Sequence, residues 1–106
     1  MTKNIENSIL DSQIEFLCEL YEKNKFLTVV QKTKSLLENF KFSITLHNIL
    51  GMAYVKINKF DNAIESYQGA LKLNPKYHVT LYNLGIVYHE KMDFEKAIFY
   101  YKKAIK

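Results

Sequence analysis

The side chains best suited to metal or nucleophilic chemistry in this chain are His47, His78, His89 and Cys18. His78 and His89 lie eleven residues apart, close to three helical turns. They share a face, but roughly 16 Å separates them along a helix axis, too far for one ion. His89 and Glu90 are not followed by a second histidine at the metalloprotease spacing. Cys18 is expected partly buried on a helix, a setting that leaves a thiol inert. No Ser, His and Asp arrangement, nucleophile elbow or glycine-rich phosphate loop occurs, and only three glycines are present. The expectation is a protein that is not an enzyme, with no catalytic residue, no metal site and no cofactor.

Composition narrows the partners. The chain carries 15 basic residues against 11 acidic ones, and every basic residue is lysine. Without arginine there is no planar fork for bidentate reading of phosphate or guanine, and the lysines are dispersed, so no nucleic-acid partner is expected. No run approaches the length and apolarity of a membrane span, and the first residues lack the apolar core of a secretory signal. One cysteine excludes an internal disulfide and fits a reducing compartment. The expectation is a cytoplasmic protein without a membrane partner.

The organising signal is an internal repeat. Leu50, Gly51, Tyr54, Phe60, Ala63, Tyr67 and Ala70 return 34 residues later as Leu84, Gly85, Tyr88, Phe94, Ala97, Tyr101 and Ala104. Thirty-four residues earlier the match is weaker, with Leu20 before Tyr54 and Phe26 before Phe60. A period of this size is the mark of stacked helical hairpins. The set Leu50, Gly51, Tyr54, Ala63, Tyr67, Ala70 and Pro75 resembles the signature of the tetratricopeptide repeat (TPR), a helix–turn–helix unit. The resemblance implies an all-α solenoid of about six antiparallel helices in three repeats, the first degenerate, forming a single domain. Residues 1–8 read as a flexible lead-in, 9–43 as the first repeat, 44–77 as the second, and 78–106 as a third, truncated and lacking a capping helix.

Helical periodicity places helices at about Ile9–Asn24, Phe26–Asn39, Ile44–Ile57, Phe60–Leu73 and Tyr77–Lys91, with the last running from Phe94. Ser43 is placed to cap the third helix. Corners fall at Asn24-Lys25, Asn58-Lys59 and Met92-Asp93, and Asn74-Pro75 separates the second and third hairpins. Helices this short depend on packing. Gly51, Ala63, Ala70 and Gly85 let backbones approach while tyrosines fill the space beside them. In the first repeat Leu17 stands for the glycine, Leu36 for an alanine and Thr33 for a tyrosine, an exchange that keeps volume roughly constant.

In the family this chain resembles, the first helix of each hairpin lines a concave groove that takes peptides or partner helices. Carried over, the resemblance implies a groove containing Glu15, Asn48, Met52, Lys56, Tyr82, Asn83, Ile86 and His89, with Tyr21 and Glu90 also facing inward and a protein or peptide as partner. The carboxylate-clamping subfamily is excluded, because the corresponding sites hold Ile14, Cys18, Ile49, Val79 and Asn83, none of them a cation. Asn83 within LYNLGIVY resembles groove asparagines of repeats attached to sugar-transferring enzymes. An alternative expectation is therefore the N-terminal recruiting domain of a larger protein-modifying transferase. A third is a self-assembling piece, a homo-oligomer formed through the uncapped last helix by Ile98, Phe99, Tyr101 and Ile105.

Overall fold

The computed structural model describes the backbone of residues 2–106 and the side chains of residues 4–106. Six helices follow one another: α1 (Thr2–Glu22), α2 (Phe26–Asn39), α3 (Ile44–Lys56), α4 (Phe60–Leu73), α5 (His78–Glu90) and α6 (Phe94–Ala104). No strand occurs among the described residues. Each odd-numbered helix pairs with the even-numbered one after it, most extensively in α3 with α4 and α5 with α6. The hairpins stack into an elongated body of 46 × 28 × 20 Å, as a solenoid does.

The three corners are built alike. Asn24, Asn58 and Met92 take left-handed backbone angles, with φ of 63°, 61° and 64°. At each corner the next amide reaches back to a carbonyl five residues earlier: Lys25 to Leu20, Lys59 to Tyr54 and Asp93 to Tyr88, at 2.9, 2.9 and 2.8 Å. Asn24, Asn58 and Met92 themselves donate to Tyr21, Val55 and His89. This paired closure satisfies carbonyls that a helix end leaves open. Asparagine tolerates the left-handed region; methionine does so at a cost.

Two caps use side chains. Ser43 Oγ accepts from the Leu46 amide at 3.2 Å, as its place before α3 predicts. Asp93 Oδ1 accepts from the Lys96 amide at the start of α6.

Gly51 and Gly85 mark where the hairpins close. A side chain at Gly85 would meet Tyr101 Cδ1 at 2.5 Å, and one at Gly51 would overlap the Tyr67 ring. Both glycines are buried. In the first hairpin Leu17 and Thr33 are buried at the corresponding positions, so the bulk has moved from the second helix to the first. That exchange leaves the Thr33 hydroxyl buried with no hydrogen-bond partner. One core runs from Leu17 and Val29 through Leu46, Ala53 and Tyr67 to Leu84 and Val87.

The start of the chain departs from the sequence expectation. Residues 2–8, predicted as lead-in, are the first turns of α1 rather than a segment without regular structure. Nothing between Thr2 and Ile9 is glycine or proline. A helix already nucleated by the packed residues Leu10, Ile14 and Leu17 therefore propagates backward at one hydrogen bond per residue. Met1 lies outside the described residues.

Candidate functional site

The face made by α1, α3 and α5 carries a cleft of about 280 Å³ lined by Tyr21, Met52, Val55, Lys56, Tyr67, Asn83, Ile86 and Glu90. All three hairpins contribute to it. Tyr67 comes from α4, on the far side of its hairpin, and reaches the cleft because Gly51 leaves room for its ring. The residue is only 2% exposed. None of the side-chain hydrogen bonds among the described residues ends on its hydroxyl. Burial, and then the Tyr21 phenol close by, push its pKa well above the ordinary 10.0, so the group stays a neutral donor. Burial raises the Tyr21 phenol as well.

Chemically the cleft is an apolar trough with a polar rim. Met52, Val55 and Ile86 supply the walls, the two phenols and the Asn83 amide supply directional partners, and Lys56 and Glu90 supply one charge of each sign. A second hollow, of about 520 Å³, lies between α2, α3 and α4 and carries Lys34, Glu65 and Lys72 at its edge. There His47 Nε2 is already joined to the Lys41 carbonyl at 3.0 Å.

Of the residues expected in the groove, the cleft brings together Met52, Lys56, Asn83 and Ile86. Glu15 is exposed on α1 outside the cleft lining. His89 is exposed at the end of α5, edge-on to Phe94 with ring centroids 5.6 Å apart. Asn48 is a correction: it is buried, 7% exposed, and its Oδ1 accepts from Thr80 Oγ1 at 3.0 Å. That contact joins α3 to α5, so position 48 faces the following hairpin instead of a ligand. Tyr82, the residue 34 positions later, is exposed instead of buried, packs on Tyr101 with ring centroids 5.6 Å apart and lies outside the cleft lining. At the preceding junction the same two positions hold Ile14 and Leu46, an apolar pair.

Val55 and Tyr67 are the cleft residues that sequence reasoning missed. Val55 was legible by period, since Tyr21 and His89 stand 34 residues on either side of it. Tyr67 carried no such signal, because its spacing assigns it to hairpin packing and its second role depends on how far the ring reaches past Gly51.

The far end of the solenoid is apolar. Phe94, Ile98, Phe99 and Ile105 are exposed, Ile105 by 86%. Tyr101, expected on this edge, is half-buried instead: it follows the course of Tyr67 and inserts against Gly85. Tyr100 is half-buried too, stacked on Tyr88 at 5.5 Å, with its hydroxyl 3.4 Å from Gln68 Nε2.

Helical hairpins closed by glycine against tyrosine and stacked at a fixed period define a tetratricopeptide solenoid, and the comparisons agree. One family profile, described as TPR repeat, matches residues 51–91, and another, described as tetratricopeptide repeat, matches residues 78–106. The chain belongs to the tetratricopeptide repeat family. It is 35% identical over 71 residues to the uncharacterized protein ycf37 of Pyropia yezoensis, covering 67% of this chain and 40% of that one. It is 31% identical over 78 residues to the rhomboid protease GluP of Bacillus subtilis, covering 74% of this chain and 15% of the protease. The chain thus spans less than half the length of either relative. Among solved structures, the second TPR of Spaghetti (RPAP3) bound to HSP90 peptide SRMEEVD superposes with a TM-score of 0.85. That likeness covers 99% of this chain and 97% of the other at 14% identity, a kinship of fold. Among the described residues, no helix is long and apolar enough to cross a membrane.

Proposed function

We propose that this chain is a non-catalytic binding module whose ligand, a peptide or a partner helix, lies in the cleft between α1, α3 and α5. The observation that carries the reading is the floor of that cleft. Tyr67 is almost wholly buried, yet its phenol meets the cleft without a hydrogen-bonding partner among the described residues. Among the described residues the one fully enclosed side-chain oxygen without a partner belongs to Thr33, so the Tyr67 hydroxyl keeps solvent contact at the cleft floor, where a ligand acceptor takes the place of water. With Met52, Val55 and Ile86 as walls and Asn83 at the rim, the ligand is a segment with one or two apolar anchors and free backbone carbonyls. One lysine beside one glutamate does not concentrate positive charge, so a ligand read mainly through a terminal carboxylate is disfavoured.

The test selects ligands from a random peptide library on the purified chain. Selected peptides should lose about tenfold or more in affinity for a variant carrying Met52→Ala and Asn83→Ala, with helical content unchanged. Tyr82→Ala, outside the cleft, should leave affinity intact. Equal binding to the cleft variant would overturn the assignment. A second reading, the recruiting portion of a larger protein, draws support from the match to a small share of the GluP sequence.

A further inference from the structure

The two ends of the solenoid are unlike each other, and they fit. At each internal junction the second helix of a hairpin offers two apolar residues to the hairpin that follows. In α2 these are Val30, buried, and Leu37, half-buried; in α4 they are Ile64 and Leu71, both half-buried against the core. Thirty-four residues further, in α6, the same two positions are Ile98 and Ile105, 53% and 86% exposed. The last hairpin therefore presents a stacking surface of the kind that is covered twice elsewhere in the chain.

The opposite end presents a matching stripe. Along α1 the exposed apolar residues are Ile5, Ile9 and Phe16, spaced by four and then seven. Along α6 and its C-cap they are Phe94, Ile98, Phe99 and Ile105, of which Phe94, Ile98 and Ile105 are spaced the same way. Charge is complementary. α1 carries Glu6, Asp11, Glu15, Glu19 and Glu22 against a single lysine. α6 carries Lys96, Lys102 and Lys103 against Glu95, and Lys106 follows it. Two copies of α6 would repel one another; α6 and α1 attract.

We infer that α6 of one copy docks on α1 of a second copy, so that the solenoid continues head to tail between molecules. The repeat relation carries the ion pair between Lys91 and Asp61, 2.6 Å apart at the internal junction, onto Lys23 of the second copy and Glu95 of the first. Such a joint uses different patches on the two copies and does not close on itself, so assembly proceeds beyond a dimer. Glu19 limits its strength. It stands where Ala53 and Val87, both fully buried, pack at the internal junctions, and a carboxylate there resists burial.

The test uses two blocked variants of the full chain, each altered only at exposed positions so that helical content is preserved. One carries Ile98→Glu and Ile105→Glu; the other carries Ile5→Lys and Ile9→Lys. Analytical ultracentrifugation of the unaltered chain should show mass rising with concentration, and roughly 1 M salt, which shortens the screening length to about 3 Å, should weaken the association. Each variant alone should be monomeric, with association weakened by about tenfold or more. An equimolar mixture should form a one-to-one dimer, because each variant keeps the end that the other lacks. Glu19→Val should strengthen assembly of the unblocked chain. A monomer at every concentration would overturn the inference. So would self-association of the Ile5→Lys, Ile9→Lys variant, which would mean that α6 pairs with itself.

Discussion

The ring of Tyr67 on α4 fills the space that a side chain at Gly51 on α3 would need, and Tyr101 does the same at Gly85. Each hairpin is therefore closed by a residue pair whose joint volume matters more than either member. The first hairpin reaches a similar closeness by the opposite division, with Leu17 on the first helix and Thr33 on the second, both buried.

This division can be tested by exchange. Gly51→Leu alone should cost about 1–3 kcal/mol through overpacking, because even a Cβ at position 51 overlaps the Tyr67 ring. Tyr67→Thr alone should cost more, by opening a cavity. The double variant, which copies Leu17 and Thr33 into the second hairpin, should be more stable than the sum of the two losses allows. Urea unfolding of the four proteins measures that coupling.

Thr33 carries the cost of its arrangement in a buried hydroxyl without a partner. Thr33→Val keeps the shape and removes the stranded group, so it should stabilise the chain by about 1 kcal/mol. Thermal unfolding should show a rise of roughly 4–8 °C, the range for a domain near this size.

The polar pair of Asn48 and Thr80 replaces an apolar pair at the preceding junction. Asn48→Ala should destabilise by about 1–3 kcal/mol, because the Thr80 hydroxyl is left buried without its acceptor. Asn48→Leu combined with Thr80→Val removes both polar groups at similar volume and should cost less than Asn48→Ala alone. Denaturant midpoints of the three variants rank them.

Met92 holds a left-handed backbone at the third corner, where the first two corners use asparagine. Its side chain is 75% exposed, so little packing opposes a change. Met92→Asn should stabilise by up to about 1 kcal/mol, part of the cost of placing an ordinary residue in that region. Chemical denaturation with unchanged slope would show that the gain lies in the folded backbone.

Tyr67 makes stability depend on pH in the alkaline range. Its folded pKa lies above the ordinary 10.0 of an unfolded tyrosine, because burial penalises the phenolate. Above that value the unfolded chain releases a proton that the folded chain retains. The stability this group contributes is complete below the unfolded pKa and falls as pH rises past it. Tyr67→Phe should flatten the loss between neutral pH and the alkaline unfolding transition, which phenolate absorbance and circular dichroism together would follow.

What the sequence determined by itself was the repeat: six helices, their corners, the cap at Ser43, and the glycines against tyrosines. These follow from spacing within one hairpin, because a helix fixes which residues share a face and a left-handed corner favours particular residue types. The tertiary structure decided which face of each odd-numbered helix meets the next hairpin and which borders the open cleft. Asn48 and Asn83 are both asparagines on odd-numbered helices, yet one is buried against Thr80 and the other borders the cleft. Residues one position apart on a helix differ by about 100° in direction, and the rotation between stacked hairpins turns that difference into burial or exposure. Tyr67 shows the same limit. Period places it in the core, and only the depth of the gap at Gly51 lets it reach the cleft as well.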